Sequence, residues 1–218
     1  MEQYRELYKD LIKQNITMVS DERFENILKY KNDVLNLKGD IVECGVWAGG
    51  MSIFLSKLFL TKNIWVCDSY EGCQDPSKGK YQFDDERHSS GLYSVSLEEV
   101  KKNFNKYDLL HDPRIKFLKG FVKDTLQPEI CEIQQISLLR IDVDSYSATL
   151  EVLDYLYSKV VTNGMIIFDD SCLRESHQAM ITFLEREPNI IIKDPTTDEV
   201  INIKELSSLP CGCYFIKP

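Results

Sequence analysis

Five short apolar runs, separated by stretches with helical spacing, constrain the fold of this chain more than any other feature. They are 40-DIVECG-45, 63-NIWVCD-68, 115-IKFLKG-120, 136-ISLLRID-142 and 164-GMIIFDD-170. Each has the length of a strand, and helices are expected over about 50–60, 95–106, 146–160 and 173–186. Strands that alternate with helices imply a mostly parallel sheet with helices on both faces. Two further runs, 190-IIIKD-194 and 211-CGCYFIK-217, have no helical pattern between them. They read as an antiparallel pair that closes one edge of the sheet. Ahead of the first strand, Tyr4 to Lys13 and Ser20 to Leu35 read as helices. Ser20 is a candidate N-cap, with Arg23 at the position a capping box gives to Glu. The expected organisation is a helical segment over 1–38, then one α/β domain over 39–218.

The stretch 69-SYEGCQDPSKGKYQFDDERHSSG-91 fits neither pattern. A polar loop of that length in a compact domain is expected to be a lid or a binding loop.

At 218 residues there is material for one sizeable core. The formal net charge of -9 argues against a nucleic-acid surface, which needs a basic stripe. It is compatible with a small molecule or a cation as partner. No apolar run approaches the length needed to span a bilayer, and MEQYRELYKDLIKQ is amphipathic rather than a signal peptide. A cytoplasmic protein is expected, with a homo-oligomer possible and no nucleic-acid or membrane partner. The seven cysteines sit mostly in apolar runs, as Cys44, Cys67, Cys131 and Cys213 do, so all are expected to be reduced. Cys211 and Cys213 are too close in sequence for a zinc-knuckle pair.

The chemistry gathers where strands end. The first run ends in Glu43 and leads into 45-GVWAGG-50. Glycines between a strand and a helix let a ligand approach the backbone at the helix start. The spacing is not that of the dinucleotide fingerprint, and an acid just ahead of the glycines repels phosphate while it suits an amino group. Asp68 ends the second run, where a carboxylate can accept both hydroxyls of a ribose. Together these features point to a nucleoside with a charged amino tail and no phosphate, as in S-adenosylmethionine. Each alone is equally a packing turn or a surface acid.

The fourth and fifth runs end in carboxylates, Asp142 and the pair Asp169 and Asp170. Three such groups on neighbouring strands repel one another unless a cation or protons intervene. An oxygen-only donor set favours a hard divalent ion such as magnesium. Asp144 lies where the next helix starts, so it reads either as a helix cap, a role for which Ser145 competes, or as a base. Of the three histidines, His88 lies in the candidate lid, His111 in a loop and His177 in a helix. Only His88 is placed where it could reach a substrate.

These stretches, with 96-SLEEVKKNF-104, 117-FLKGFVKDTL-126 and 137-SLLRIDVDSYSATLEVLDYLY-157, resemble the macrocin O-methyltransferase family. These are the class I enzymes that methylate sugar hydroxyls of macrolide and aminocoumarin antibiotics. The likeness runs over about 39–187. It implies a Rossmann-like methyltransferase sheet of seven strands, S-adenosylmethionine and magnesium. It places the cofactor against Glu43, Gly45, Val46, Trp47, Gly49, Gly50, Asp68, Ser69, Gly120, Phe121 and Asp142. It places the metal on Asp142, Asp169 and Asp170, and it makes Asp144 the general base, with His88 as the other candidate. Ser171 stands where the family usually has tyrosine, Ser145 replaces a bulkier residue, and the N-terminal region is shorter than in the antibiotic enzymes.

The expected reaction is methylation of a hydroxyl on a sugar or glycosylated small molecule, with closure of the 69–91 loop to exclude water. A phenolic or catechol-like acceptor is the alternative. A metal-dependent phosphoester hydrolase fits less well, because no loop cradles a phosphate and Glu43 opposes one. A non-catalytic binding module is disfavoured by the intact set Asp142, Asp144, Asp169 and Asp170.

Overall fold

The computed structural model describes residues 1–81, 83, 90–204 and 209–218. Three helices come first: α1 (Glu2–Lys13), α2 (Asp21–Lys29) and α3 (Lys31–Asn36). The single helix expected over Ser20 to Leu35 is therefore two, broken at Tyr30, whose hydroxyl lies 2.9 Å from that of Tyr214. Then follow β1 (Asp40–Cys44), α4 (Gly50–Leu58), β2 (Ile64–Asp68), α5 (Leu97–Lys106) and β3 (Ile115–Lys119). The remainder is α6 (Val122–Thr125), β4 (Ile136–Ile141), α7 (Tyr146–Leu156), β5 (Val160–Phe168), α8 (Arg174–Leu184) and β6 (Cys213–Ile216).

The sheet order is β3-β2-β1-β4-β5-β6, parallel except for β6, which runs antiparallel to β5. Six strands are present among the described residues, not the seven expected. The 190–194 run makes only isolated bridges, from Lys193 to Val200 and to Tyr214. The reason is local: Asp194 turns the chain by accepting the amides of Thr196 and Thr197, and Pro195 has no amide to extend a ladder.

Alternation along each strand divides the core in two. Ile41, Val66, Leu138, Met165 and Ile167 face α1, α2, α4 and α5. Val42, Cys44, Leu139, Ile166 and Phe168 face α7 and α8. The N-terminal helices belong to the first layer. Phe24 of α2 stacks on Tyr8 of α1 at 4.1 Å between ring centroids and meets Phe54 of α4 edge-on. Burying a ring of that size contributes about 1.5–3 kcal/mol.

The polar loop after β2 is pinned at its base. Cys73 donates its amide to the Leu92 carbonyl at 2.8 Å, and Gly91 donates to the Cys73 carbonyl at 3.0 Å. Only a glycine fits at 72, where φ is +83° and a Cβ would stand 2.4 Å from the Leu92 carbonyl oxygen. Farther along, the amides of Lys80 and Tyr81 reach Glu151 and Ser147 of α7, at 2.7 and 2.9 Å. His88 lies outside the described residues.

Two cysteines depart from expectation. Cys172 and Cys211 form a disulfide, with their Cα atoms 4.8 Å apart, and clip the turn after β5 to the approach of β6. Ser171 strengthens the clip by donating to the Pro210 carbonyl and accepting the Cys213 amide. Cys44, Cys67, Cys131 and Cys213 are free and buried, as expected.

Candidate active site

The strand order reverses between β1 and β4, and ligands of open parallel sheets bind beyond the strand ends at such a point. A cavity of about 310 Å³ lies there. Its walls come from the ends of β1, β2, β4 and β5, the turn after β3, and residues 16–19 with Arg23.

The register explains why charges gather at its floor. Glu43 sits beside Arg140, and Arg140 beside Ile167, across adjacent strands. The ladder then continues one residue further, with the Asp142 amide on the Cys44 carbonyl at 2.8 Å and the Asp169 amide on the Ile141 carbonyl at 2.9 Å. Side chains two apart share a face. Glu43, Arg140, Asp142 and Asp169 therefore share the face of Ile41, Leu138 and Ile167, the face that α2 covers. At its carboxyl end this apolar layer becomes ionic.

Arg140 is the hub. Its side chain is 1% exposed, and Nη1 donates to Glu43 Oε1 at 2.5 Å and to Asp142 Oδ2 at 2.7 Å. Burial alone would lower its pKa, but the three carboxylates outweigh burial and hold it well above the ordinary value. Nη2 lies 2.5 Å from Asp169 Oδ1, yet the pair is not aligned as a hydrogen bond, and both atoms lack a directed partner. The other oxygen of Asp169 takes Nη1 of Arg23, reaching in from α2.

Burial dominates the acids. It pushes Glu43 up to about 7 against the pull of Arg140 and the hydroxyl of Ser52. It pushes Asp169 up to about 6 against the same Arg140. Asp170 stands well above its ordinary range, from burial and then from the charges of Asp142, Asp144 and Asp169. One oxygen from each of Asp142, Asp169 and Asp170 lies within 4.8 Å of the others. Three converging carboxylate oxygens fit a hard divalent cation.

Asp144 is not the cap of α7. Ser145 is, its Oγ accepting the Ala148 amide at 3.3 Å. Asp144 lies ahead of the cap at φ +57°, its amide donating to Asp170 Oδ2 at 3.2 Å and its carbonyl accepting from Ser176.

On the other side of the cavity the turn after β1 is organised by Asp68. Its carboxylate accepts the amides of Val46 at 2.7 Å, Trp47 at 3.3 Å and Tyr70 at 2.7 Å, while burial raises its pKa. Gly45 has φ +83°, and a Cβ there would stand 1.6 Å from the Asp142 carbonyl oxygen. The close approach of β1 and β4 thus depends on a bare Cα.

Of the residues singled out in the sequence, Glu43, Gly45, Val46, Trp47, Asp68, Ser69, Gly120 and Phe121 line the cavity, as do Asp142, Asp144, Asp169 and Asp170. Gly49 and Gly50 do not. Gly49 faces Val100 and Phe104, and the Gly50 amide is taken by the Ile16 carbonyl at 2.9 Å, so both serve packing. Glu43 lines the floor, but Arg140 and Ser52 already hold its carboxylate. His177 is buried, with Nε2 2.6 Å from the Ile203 carbonyl. Sequence reasoning missed Arg140 and Arg23. The signal for Arg140 was present, since a cation inside an otherwise apolar strand has to be paired.

Residues 1–198 match the family described as Macrocin-O-methyltransferase (TylF). The chain is 38% identical over 164 residues to the demethyldecarbamoylnovobiocin O-methyltransferase of Streptomyces niveus, a match covering 71% of this chain and 62% of that one. Over 192 residues it is 32% identical to an O-methyltransferase of Streptomyces olivaceus, covering 84% of this chain and 71% of that one. That enzyme is named for the 4'-position of 8-demethyl-8-(2,3-dimethoxy-alpha-L-rhamnosyl)-tetracenomycin C. The solved structure of the O-methyltransferase NovP superimposes with a TM-score of 0.76 at 33% identity, over 93% of this chain and 82% of that one. The chain therefore belongs to the macrocin O-methyltransferase family, a family of S-adenosylmethionine-dependent O-methyltransferases.

Proposed function

We propose that this protein transfers a methyl group from S-adenosylmethionine to a hydroxyl of a sugar or glycosylated small molecule, with magnesium held by Asp142, Asp169 and Asp170. One observation carries the reading: the glycine turn clamped by Asp68 and the three converging carboxylates open into the same cavity. The name of the Streptomyces olivaceus relative, which prints a rhamnosyl acceptor, supports the acceptor class.

When bound, S-adenosylmethionine would supply an electrophilic methyl on its sulfonium, and magnesium would supply Lewis acidity toward the acceptor hydroxyl. The chain does the rest. Asp68 fixes the 45–47 turn through two amides on Oδ2, and Oδ1, which takes the Tyr70 amide, keeps a lone pair for a ribose hydroxyl. Trp47 and Phe121 bound the nucleoside side of the cavity. Asp142, Asp169 and Asp170 stand just past the ends of two adjacent strands, where the backbone bonds of Asp142 and Asp169 set their spacing before any ligand arrives. That is the preorganisation in-line transfer needs. Asp144 takes the proton of the acceptor hydroxyl on its carboxylate as the oxygen accepts the methyl group. Gly72, Cys73 and Gln74 at the start of the 69–91 loop line the cavity, and that loop is assigned to excluding water. The reaction is assigned to the cytoplasm, where the cofactor is made. No helix among the described residues is long and apolar enough to cross a membrane.

The test is transfer of an isotope-labelled methyl group from S-adenosylmethionine onto a panel of methyl glycosides, glycosylated aromatics, simple phenols and phosphate esters, with magnesium or with EDTA. Labelled sugar ethers that appear only with magnesium are expected. Label on phenols alone would move the acceptor class, label that persists in EDTA would remove the metal, and phosphate release without label would refute the reading.

A further inference from the structure

We infer that Arg23 is a displaceable counter-ion: it holds Asp169 while no divalent cation is bound and yields that carboxylate when one arrives. This rests on the metal assignment proposed above and adds a residue from a different part of the chain to it.

Both oxygens of Asp169 already face guanidinium groups, Oδ1 that of Arg140 and Oδ2 that of Arg23. A divalent cation that binds Asp169 meets both at close range, and like charges repel. Arg140 cannot leave. Its side chain is 1% exposed and its departure would strand Glu43, Asp142 and Asp169 in the core without a counter-charge. Arg23 can. Its side chain is 15% exposed and it lines the cavity. Its other contacts are long and local, to Ser20 Oγ at 3.4 Å and to the Met18 carbonyl at 3.3 Å. It also lies in a slot that exists because residue 212 is glycine, where a Cβ would stand 2.6 Å from Arg23 Cγ.

Charge favours the exchange. Glu43, Asp142, Asp169 and Asp170 converge against two arginines, and Asp170 has no guanidinium partner among the described residues. Replacing one positive charge by two at that point offsets the repulsion among the converging carboxylates. The cost is the bond between Arg23 and Asp169, a charge-assisted contact shielded from water. Arg23 therefore weakens the affinity of the site for its metal and keeps the metal-free site folded. Because Met18 and Ser20 hold the same guanidinium, its release removes one tether from this part of the cavity wall. The N-terminal segment thereby responds to metal occupancy.

The experiment is calorimetric titration of the EDTA-stripped full chain with magnesium chloride, for wild type, Arg23→Gln and Arg23→Lys, with melting curves in parallel. Arg23→Gln should bind magnesium about tenfold more tightly than wild type, since no ion pair has to be broken. Arg23→Lys should fall between, as a point charge without the planar fork. Metal-free Arg23→Gln should melt below wild type and gain more from magnesium. If Arg23 merely braces the carboxylates, its removal loosens them and magnesium binds more weakly. Equal or weaker binding by both variants overturns the inference and leaves the metal assignment standing. No binding by any of the three proteins overturns both, while methyl transfer in EDTA would still be measurable. Should Arg23→Gln fail to fold, Arg23→Lys decides by the sign of its change.

Discussion

Replacing Asp144 by Asn separates the chemistry of this position from its structure. Asn is isosteric with Asp and, apart from glycine, the residue that best tolerates the left-handed conformation, here φ +57°. The bond from the Asp144 amide to Asp170 is made by the backbone and survives. The cap of α7 is Ser145, so no cap is lost. The stability change should stay within about 0.5 kcal/mol, since Asn keeps the shape of Asp and neither the backbone bond nor the cap is touched. For a chain of this size that is a melting shift of roughly 2 °C or less. Turnover should fall by about a hundredfold to ten-thousandfold, because the amide cannot take a proton. Two controls calibrate the result. Asp144→Ala adds a penalty of about 1–2 kcal/mol for a left-handed alanine. Ser145→Ala removes the cap and costs about 1 kcal/mol while sparing the base. The assay is release of S-adenosylhomocysteine from saturating cofactor and the acceptor found by labelled transfer, with melting curves beside it. Near-normal turnover by Asp144→Asn would refute the assignment of the base. A melting loss as large as that of Ser145→Ala would refute the assignment of the cap.

Three further outcomes follow from the geometry. Gly45→Ala puts a Cβ 1.6 Å from the Asp142 carbonyl oxygen at φ +83°, so it should cost at least about 3 kcal/mol and abolish cofactor binding, as read by melting and calorimetry; near-normal melting would refute it. Burial raises the Glu43 carboxyl to about 7 in the fold against 4.5 as its ordinary value, so the folded state keeps a proton that the unfolded chain gives up. That stability is present below about 4.5 and is lost as pH rises through about 7, so Glu43→Gln should flatten the fall in melting temperature between pH 5 and 8, and an unchanged slope would refute it. Replacing Cys172 and Cys211 by serine opens a cross-link between residues 39 apart, and about 2–4 kcal/mol should be lost in urea unfolding; a loss that reducing agent inflicts equally on the double variant would exclude the bridge as its source.

The sheet was legible because its signal is local. Each apolar run from Ile41 to Phe168 announces a strand by composition alone, and Asp142, Asp169 and Asp170 announce themselves by ending such runs. The turn after β1 was legible in its glycines, but what each glycine admits was not: one that admits Val100 or the Ile16 carbonyl looks the same in sequence as one that admits a ligand. What stayed hidden is what distant segments do to one another. The pairing of Arg23 with Asp169 joins residues 146 apart, and no periodicity points to it. The disulfide was obscured by the apolar surroundings of the other cysteines. The missing strand near Lys193 was a β-rich run defeated by its next two residues, a failure of length rather than of type.

The two hydrogen bonds that pin Gly91 and Leu92 to Cys73 make the intervening segment a cartridge. Its ends are fixed by the stem, while the amides of Lys80 and Tyr81 tie its middle to Glu151 and Ser147 of α7. The entropic cost of a longer insert grows only with the logarithm of its length, about 0.6 kcal/mol for each doubling. Within a shared scaffold, such a position lets the mouth of the cavity be rewritten while the carboxylate floor is inherited unchanged. Exchanging residues 82–90 between relatives, with Gly72, the stem, Lys80 and Tyr81 retained, is the graft this architecture permits.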